Sequence, residues 1–237
     1  MVSVLILAQS SPPAEHMGFF DYLVRANLAE QVIIGALAIF SLIAWTIMFG
    51  KHFELKRLRA YNYGFAHKLR EQRTLLDLPE GFVVPDAVPY GALLRSALDA
   101  YWRVEARRGE TDESLASARL EHAENALQRG VADQTLAYES SMVFLATIVS
   151  GAPFFGLLGT VWGVMDAFGA VALQPVATVQ TLAPGVSGAL LSTVAGLLVA
   201  IPSMFGYNFL LSKTKLMIVE LENYASSLAD RIELETR

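Results

Sequence analysis

The sequence contains no cysteine and little charge. Charged residues make up 17% of the 237 residues, whereas apolar residues make up 54%. The absence of cysteine excludes a disulfide framework and any thiolate metal site. Low charge together with a high apolar content is atypical of a soluble domain of this length and favours a protein embedded in the lipid bilayer.

Basic residues are also too few and too scattered to form a nucleic-acid surface. The formal net charge is -5 at pH 7, and no single stripe of Lys and Arg could follow a phosphate backbone. The histidines, His16, His52, His67 and His122, do not have metal-ligand spacing. The sequence also lacks a phosphate-binding loop and a nucleophile with a neighbouring base. We therefore expect no nucleic-acid partner, no metal, no cofactor and no enzymatic activity.

The first of two long uncharged stretches covers residues 31–50, between Glu30 and Lys51. A membrane-spanning helix needs about 20 consecutive apolar residues, which is the length of this stretch. Trp45 lies near one end, where an indole at the membrane interface is favoured. This stretch predicts one span.

The second stretch is longer and predicts two spans. Between Glu139 and Lys213, Asp166 is the one Asp, Glu, His, Lys or Arg. A polar piece with two prolines, residues 173–184, divides the stretch. Proline and polar residues at that place indicate a loop that joins two membrane helices.

Lys and Arg close to membrane spans are retained on the cytoplasmic side, so they indicate orientation. Residues 51–73 contain seven of them against two acidic residues, whereas Arg25 is the one basic residue ahead of the first span other than a histidine. We therefore expect the N-terminus in the periplasm and the C-terminus in the cytoplasm. Residues 1–11 have a short apolar core without a basic start, which favours a periplasmic tail over a cleaved signal peptide.

These observations predict an all-α membrane protein with three transmembrane helices and long cytoplasmic helical extensions. The expected segments are a periplasmic N-terminal segment 1–30, transmembrane helix 31–50, a cytoplasmic helical domain 51–139, transmembrane helix 140–170, a periplasmic loop 171–184, transmembrane helix 185–212 and a cytoplasmic C-terminal helix 213–237.

The cytoplasmic domain should be helical apart from a loop at residues 78–91, which contain three prolines and two glycines. Thr111 is the expected N-cap of a following helix, because Asp112 and Glu113 come directly after it. Apolar residues then recur at helical spacing as far as the second span. We expect this helix to run straight into that span.

The C-terminal segment has an apolar face at helical spacing. Its residues are Met217, Leu221, Tyr224, Leu228 and Ile232. Such a face requires a partner helix, and the helix that enters the second span is the expected one.

Small residues form stripes on the second and third spans. They include Gly156, Gly159, Thr160 and Gly163 on the second span, and Gly185, Gly188, Ser192, Thr193 and Gly196 on the third. Lipid provides no hydrophobic drive for helix association, so small residues that let backbones approach are a main source of packing energy. The stripes fit packing of one span on the other, packing around a further element, or both.

Thr160 and Thr193 are polar side chains near the middle of their spans. Each hydroxyl either bonds the carbonyl one turn back or holds a water file or a carboxylate. Neither group titrates near neutral pH. Residues 140–165 and 185–212 contain no Asp, Glu, His, Lys or Arg. If the protein conducts protons, the central titrating carboxylate must therefore come from another chain.

Asp166 follows this neutral part of the second span, toward its outer end. An acid inside a membrane is costly and is by default a functional candidate. At the interface the cost is smaller, so Asp166 is either a functional acid or a solvated residue at the end of the helix.

Three motifs resemble the MotA/TolQ/ExbB proton channel family, and its TolQ and ExbB branch in particular. They are FSLIAW at residues 40–45, GLLGTVWGVMDAF at residues 156–168 and LAPGVSGALLSTVAGLLVAIPSMFGYN at residues 182–208. The order of the motifs and the alternating topology fit this family over most of the chain.

The resemblance implies a bacterial inner-membrane subunit that forms a homo-oligomeric ring, thought to be a pentamer. The ring would surround the single-span helices of a TolR-like or ExbD-like partner, which carries the essential membrane Asp. Thr160 and Thr193 fall on the family threonines that face this partner. Proton passage would then drive a TolA-like or TonB-like periplasmic effector in outer-membrane maintenance or uptake.

One position departs from the family pattern. The TolQ and ExbB branch commonly has a glutamate three residues after the A-P-G sequence, whereas this chain has Gly188 there. Asp166 stands where close relatives often have His or Asn, and it is a candidate for the outer acidic site. Because of this departure we also consider a scaffold that holds a single-span partner and conducts nothing.

Overall fold

A computed structural model describes residues 27–79, 81–85, 87–105, 111–172 and 178–236. Five helices cover most of these ranges, and no strand occurs within them. The helices are α1 (Leu28–Arg70), α2 (Pro89–Trp102), α3 (Asp112–Glu139), α4 (Met142–Ala172) and α5 (Val179–Thr236). The predicted all-α fold is confirmed. The expected N-terminal segment lies outside the described residues as far as residue 26, as do residues 173–177 of the expected loop.

Three helical stretches in the described ranges are long and apolar enough to cross a membrane. They are α1, the stretch Asp112–Ala172 that joins α3 and α4, and α5. At 1.5 Å per residue, the 43 residues of α1 and the 58 residues of α5 extend about 65 Å and 87 Å. A hydrocarbon core is about 30 Å thick, so both helices are much longer than a span requires.

A short break separates α3 from α4, so the expectation of one continuous helix is wrong at this point. Helix α3 ends at Glu139, and Ser141 takes a left-handed conformation with φ of 67°. The buried Lys51 ammonium lies against this end, donating to the Ala137 carbonyl and the Ser140 hydroxyl at 3.2 Å each. A cation is favourable at a helix C-terminus, where carbonyl groups have no partner within the helix.

The start of α3 follows the sequence prediction. The Thr111 hydroxyl accepts a hydrogen bond from the Ser114 N–H at 3.3 Å, which is the N-cap bond expected there. The loop expected at residues 78–91 ends near the predicted place, because α2 begins at Pro89, but it starts earlier than predicted, because α1 already ends at Arg70. Proline is favoured in the first turn of a helix, where its missing N–H costs nothing. Helix α2 then packs against α3.

The chain forms two compact units. The first unit comprises Met1–Phe40, of which the structure describes residues 27–40, and Gly151–Ala200; the second comprises Ser41–Ser150 and Ile201–Arg237. The centre of the first unit is the crossing of α4 and α5. A Cβ atom built on Gly196 would lie 2.7 Å from the Ala152 carbonyl oxygen and 3.1 Å from the Gly156 Cα. The two backbones therefore touch, and any side chain at this crossing would separate them.

Further small residues extend this crossing. A Cβ atom on Gly159 would lie 2.5 Å from the Ser192 Cβ, and one on Gly185 would lie 2.7 Å from the Ala167 Cβ. Packing of small residues is how membrane helices gain van der Waals contact when hydrophobic drive is absent. The structure thus places several members of both stripes at the contact between α4 and α5, namely Gly156, Gly159, Gly185, Ser192 and Gly196.

In the second unit, the C-terminal part of α5 has the predicted apolar face. Met217, Leu221, Leu228 and Ile232 are buried, and the Tyr224 ring, on the same face, stacks on another tyrosine. That partner, Tyr90 of α2, lies 3.8 Å away between ring centroids. Burial raises the pKa of Tyr90 to about 12, so its phenol stays neutral at physiological pH.

Polar contacts show which elements the tail of α5 packs against. Glu220 accepts hydrogen bonds from Arg59 of α1, and the Glu220 carbonyl accepts one from the Tyr90 hydroxyl at 3.1 Å. The Arg231 guanidinium donates to the Gln72 carbonyl at 3.1 Å. The expected partner was the helix that enters the second span, whereas these contacts are made to α1, to α2 and to the turn after α1.

Near the C-terminal end of α5, Glu235 binds the backbone of the turn that follows α1. The Glu235 carboxylate accepts hydrogen bonds from the backbone N–H groups of Leu75 and Leu76, at 2.6 Å and 2.9 Å for Oε2. Hydrogen bonds that involve a charged group are shorter and stronger than neutral ones. This carboxylate therefore holds the end of α5 to the turn that follows α1.

We predict that Gly196→Ala destabilises the protein, because the added methyl group would press on the Ala152 carbonyl and the Gly156 Cα. Overpacking of this kind costs about 1–3 kcal/mol. Thermal unfolding in detergent should show a lower midpoint. Gly151→Ala is the matched control, since a Cβ atom there meets nothing within 4 Å. Equal midpoints for the two variants would contradict the close approach of α4 and α5.

We also predict that Glu235→Ala lowers the midpoint of thermal unfolding, because it leaves two N–H groups without their charged acceptor. Loss of hydrogen bonds to a charged group costs about 1.5–3 kcal/mol. The exposed Glu222 provides the control through Glu222→Ala. Limited proteolysis should cut the tail faster in Glu235→Ala. A tail that resists protease as well as the wild type does would show that this anchor is unimportant.

Candidate functional site

Thr160 of α4 and Thr193 of α5 lie side by side in the first unit, and their hydroxyl oxygens are hydrogen-bonded to each other. Thr160 Oγ1 also lies 3.2 Å from the carbonyl oxygens of Gly156 and Ala189. Thr193 Oγ1 lies 3.3 Å from the same Gly156 carbonyl. The two threonines that the sequence singles out are thus one pair at the contact between the two helices.

The pair satisfies its own hydrogen-bonding needs. Each hydroxyl has one hydrogen, so one threonine donates to the other and the second donates to a backbone carbonyl. Bonding to the carbonyl one turn back, as at Gly156 for Thr160, is the ordinary behaviour of threonine in membrane helices. The contacts with the opposite helix, however, also join α4 to α5. Both side chains remain half-buried, so a further group can approach them.

Asp166 lies six residues beyond Thr160 on α4, about 1.7 helical turns, and is exposed. Its carboxylate accepts a hydrogen bond from the side-chain amide of Asn27, the residue directly before α1. Asp166 therefore binds the first helix at its beginning. The structure does not bring Asp166 into hydrogen-bond contact with the threonine pair.

The structure also brings Glu30 into this part of the molecule. In the sequence, Glu30 served only to mark the edge of the first span. Glu30, in the first turn of α1, is 1% exposed. Its Oε2 accepts from the backbone N–H of Asn27 at 3.2 Å. Its Oε1 has no hydrogen-bond partner among the described residues. The Glu30 side chain thus lies in the interior of the first unit, and one of its two carboxyl oxygens has no hydrogen bond there.

The Glu30 carboxyl group lies against glycines of both small-residue stripes. A Cβ atom on Gly188 of α5 would lie 2.8 Å from Glu30 Oε2, and one on Gly163 of α4 would overlap Oε1. A Cβ atom on Gly163 would also lie 2.8 Å from the Ala189 Cβ. Larger residues at either glycine would take the space that the carboxyl group occupies.

The spacing of apolar residues in α1 could have identified Glu30 as a buried position. Its buried positions in the first unit are Glu30, Ile33, Ile34 and Leu37. These positions recur at steps of three and four, which identifies one face of a helix. Glu30 belongs to that face, although its charge suggested a boundary. Only the fold, however, shows which glycine of which helix the side chain meets.

The site contains carboxyl groups and hydroxyl groups but no arrangement for a metal. Within the described ranges, no three His, Asp or Glu side chains form a group that could hold an ion. Around the pair, α4 and α5 expose large apolar side chains. These are Leu157, Val161, Trp162, Leu190 and Val194. The polar groups thus lie within an otherwise apolar surface.

Comparison with known proteins gives one consistent result. The biopolymer transport protein ExbB of Neisseria meningitidis is 30% identical to this chain over 207 residues, which cover 86% of this chain and 93% of that protein. The Tol-Pal system protein TolQ of Haemophilus influenzae is 29% identical over 194 residues, 81% of this chain and 83% of that protein. TolQ of Pseudomonas aeruginosa is 26% identical over 220 residues, 89% and 90% of the two chains.

The family model for the MotA/TolQ/ExbB proton channel family matches residues 91–223. This range includes most of α2, all of α3 and α4, and the part of α5 that carries Gly188 and Thr193. It covers more than half of the chain, and the resemblance seen in the motifs is confirmed. The chain belongs to the MotA/TolQ/ExbB proton channel family.

Proposed function

We propose that this chain is the ring subunit of an inner-membrane motor driven by the proton-motive force. Several copies, five in the expected ring, surround the membrane helices of a single-span partner of the TolR or ExbD type. That partner contributes an Asp at the level of the threonine pair. Proton transfer through the complex energises a periplasmic effector of the TolA or TonB type, in outer-membrane maintenance or uptake.

One observation carries this proposal: Thr160 and Thr193 form a joined hydroxyl pair on helices that have no ionisable side chain at that level. Hydroxyl groups orient water and carboxylates by donating and accepting hydrogen bonds, but they do not titrate near neutral pH. Proton transfer past them requires an acid from a second polypeptide. Membership in a proton channel family supports this division of roles.

The charge distribution supports the proposed orientation. The part of α1 from Lys51 to Arg70 contains most of the basic residues near the first span, and Lys213 and Lys215 follow the third. Because Lys and Arg near spans are retained on the cytoplasmic side, this distribution supports a cytoplasmic position for the long extensions of α1 and α5. Glu30 and Asp166 then lie toward the periplasm.

A second function is favoured by the same hydroxyl pair. Because Thr160 and Thr193 satisfy each other and nearby carbonyls, they also fit a scaffold that holds a partner helix without conducting protons. Such a scaffold needs the small-residue stripes but no titrating group. Proton flux measured in vesicles separates the scaffold from the motor.

We predict that Thr160→Val and Thr193→Val reduce proton flux through the purified complex, because valine keeps the shape and removes the hydroxyl. Loss of a positioned proton-transfer contact lowers rates by about a hundredfold or more. Thr160→Ser and Thr193→Ser should retain most of the flux. The measurement uses vesicles that contain a pH-sensitive dye and are held at a potassium diffusion potential.

Thr147→Val is the matched control, since among the described residues the Thr147 hydroxyl bonds only to the Val143 carbonyl of its own helix, at 2.9 Å. Its flux should equal that of the wild type. Co-purification of the single-span companion must be unchanged in all variants. Wild-type flux in the Thr160 and Thr193 valine variants would reject the assigned roles, and no flux in the wild type would favour the scaffold.

A further inference from the structure

Among the described residues of the first unit, Glu30 has a buried carboxyl oxygen without a hydrogen-bond partner. Its side chain is buried against α4 and α5, and Oε1 has no hydrogen-bond partner in the described part of the chain. A buried polar atom without a partner costs free energy, and a carboxyl oxygen costs more than a neutral one. Native proteins rarely keep such an atom without a use.

Capping alone does not account for this placement. Glu30 accepts a bond from the N–H of Asn27 across the first turn of α1, as a glutamate does in a capping box. A capping glutamate performs that role equally well while exposed to water. The burial of Glu30 between Gly163 and Gly188 therefore needs a further reason.

The Glu30 carboxyl group lies close to the threonine pair along both α4 and α5. Gly163 lies three residues, or about 4.5 Å along the helix axis, from Thr160 on α4. On α5, Ala189 follows Gly188, and its carbonyl is 3.2 Å from the Thr160 hydroxyl. The Glu30 carboxyl group therefore lies about one helical turn from the pair, on the side toward the beginning of α1.

We propose that Glu30 is a proton-binding group of this chain, situated between the outer end of the first unit and the threonine pair. A proton taken up by the Glu30 carboxylate passes through water or the hydroxyl pair to the acid of the partner helix, and Glu30 returns to its ionised form. No bond other than the O–H bond forms or breaks. This inference rests on the proposed proton-driven function.

The groups that face Glu30 suit this exchange. The acid facing it from α4 is Asp166, which is exposed and connected to the start of α1 through the Asn27 side chain. On α5, Gly188 and Ala189 contribute no charge. The exposed Asp166 thus adds a negative charge near Glu30 that attracts cations to this part of the first unit.

We predict that Glu30→Gln lowers proton flux by about tenfold or more. Glutamine preserves the bond to the Asn27 N–H, so this variant should fold and bind its companion. Glu30→Asp keeps the titrating group and should retain more flux than Glu30→Gln at every pH. The control is Glu222→Gln, which removes an exposed acid from the C-terminal part of α5. Its flux should match that of the wild type.

Moving the acid between helices gives a sharper test. Gly188→Glu alone should lose flux, because a Cβ atom at residue 188 comes within 2.8 Å of Glu30 Oε2. Glu30→Gly combined with Gly188→Glu returns one carboxyl group to the same space from α5. Glu30→Gly alone should also lose flux, because it removes the carboxyl group. The double variant should recover the flux that Gly188→Glu and Glu30→Gly each lack.

Infrared spectroscopy tests whether the Glu30 carboxyl group binds a proton, independently of any measurement of proton flux. Infrared difference spectra of the complex between acidic and alkaline pH should contain a carboxyl band that Glu30→Gln loses and Glu222→Gln keeps. Wild-type flux and an unchanged spectrum in Glu30→Gln would overturn the role of Glu30 while leaving the proposed motor intact. Absence of flux in the wild type would instead overturn the motor and this role together.

Discussion

The contact between the backbones of α4 and α5 is the constraint on which the first unit depends. In a bilayer, helices gain nothing by hiding apolar surface from each other, because lipid is as apolar as they are. They associate where atoms can pack closely and polar groups can pair. Gly156 and Gly196 allow that approach, and the Thr160–Thr193 bond forms because the two helices are already near. The hydroxyl pair is therefore a consequence of the glycine contact as much as a feature in its own right.

The same contact explains why a neutral pair can serve a proton-driven complex. Two hydroxyl groups that bond to each other and to carbonyls need no counter-ion, so they are stable in the membrane before any partner arrives. A charge at the level of the pair, without a hydrogen bond such as the one that Glu30 accepts from the Asn27 N–H, would be costly in the isolated subunit. In the proposed motor the central acid comes from a partner helix, which separates the stability of the subunit from the chemistry of the complex. The motor proposed here depends on this separation.

Residue type and spacing predicted the fold because membrane constraints are strict. Long uncharged stretches define spans, and the Thr111 cap and the apolar face of the α5 tail follow local rules that the structure confirms. The interruption at Ser141 and the partners of the tail were not predictable in this way. They depend on tertiary contacts, namely Lys51 on the end of α3 and Tyr90 under Tyr224. No local pattern encodes which distant residue supplies such a contact.

In the candidate site, too, some features follow from the local sequence and others depend on tertiary contacts. Gly188 is the clearest case of the second kind. In the sequence alone, a glycine at a position where the family resemblance leads us to expect glutamate looks like the loss of an acid. In the fold, the space beside Gly188 contains the carboxyl group of Glu30, which comes from another helix. A glycine on α5 is what allows that group to enter, so the two positions depend on each other through volume. An acid site is better compared between relatives by the space that it occupies than by the position that supplies it, because packing fixes the space and several helices can reach it.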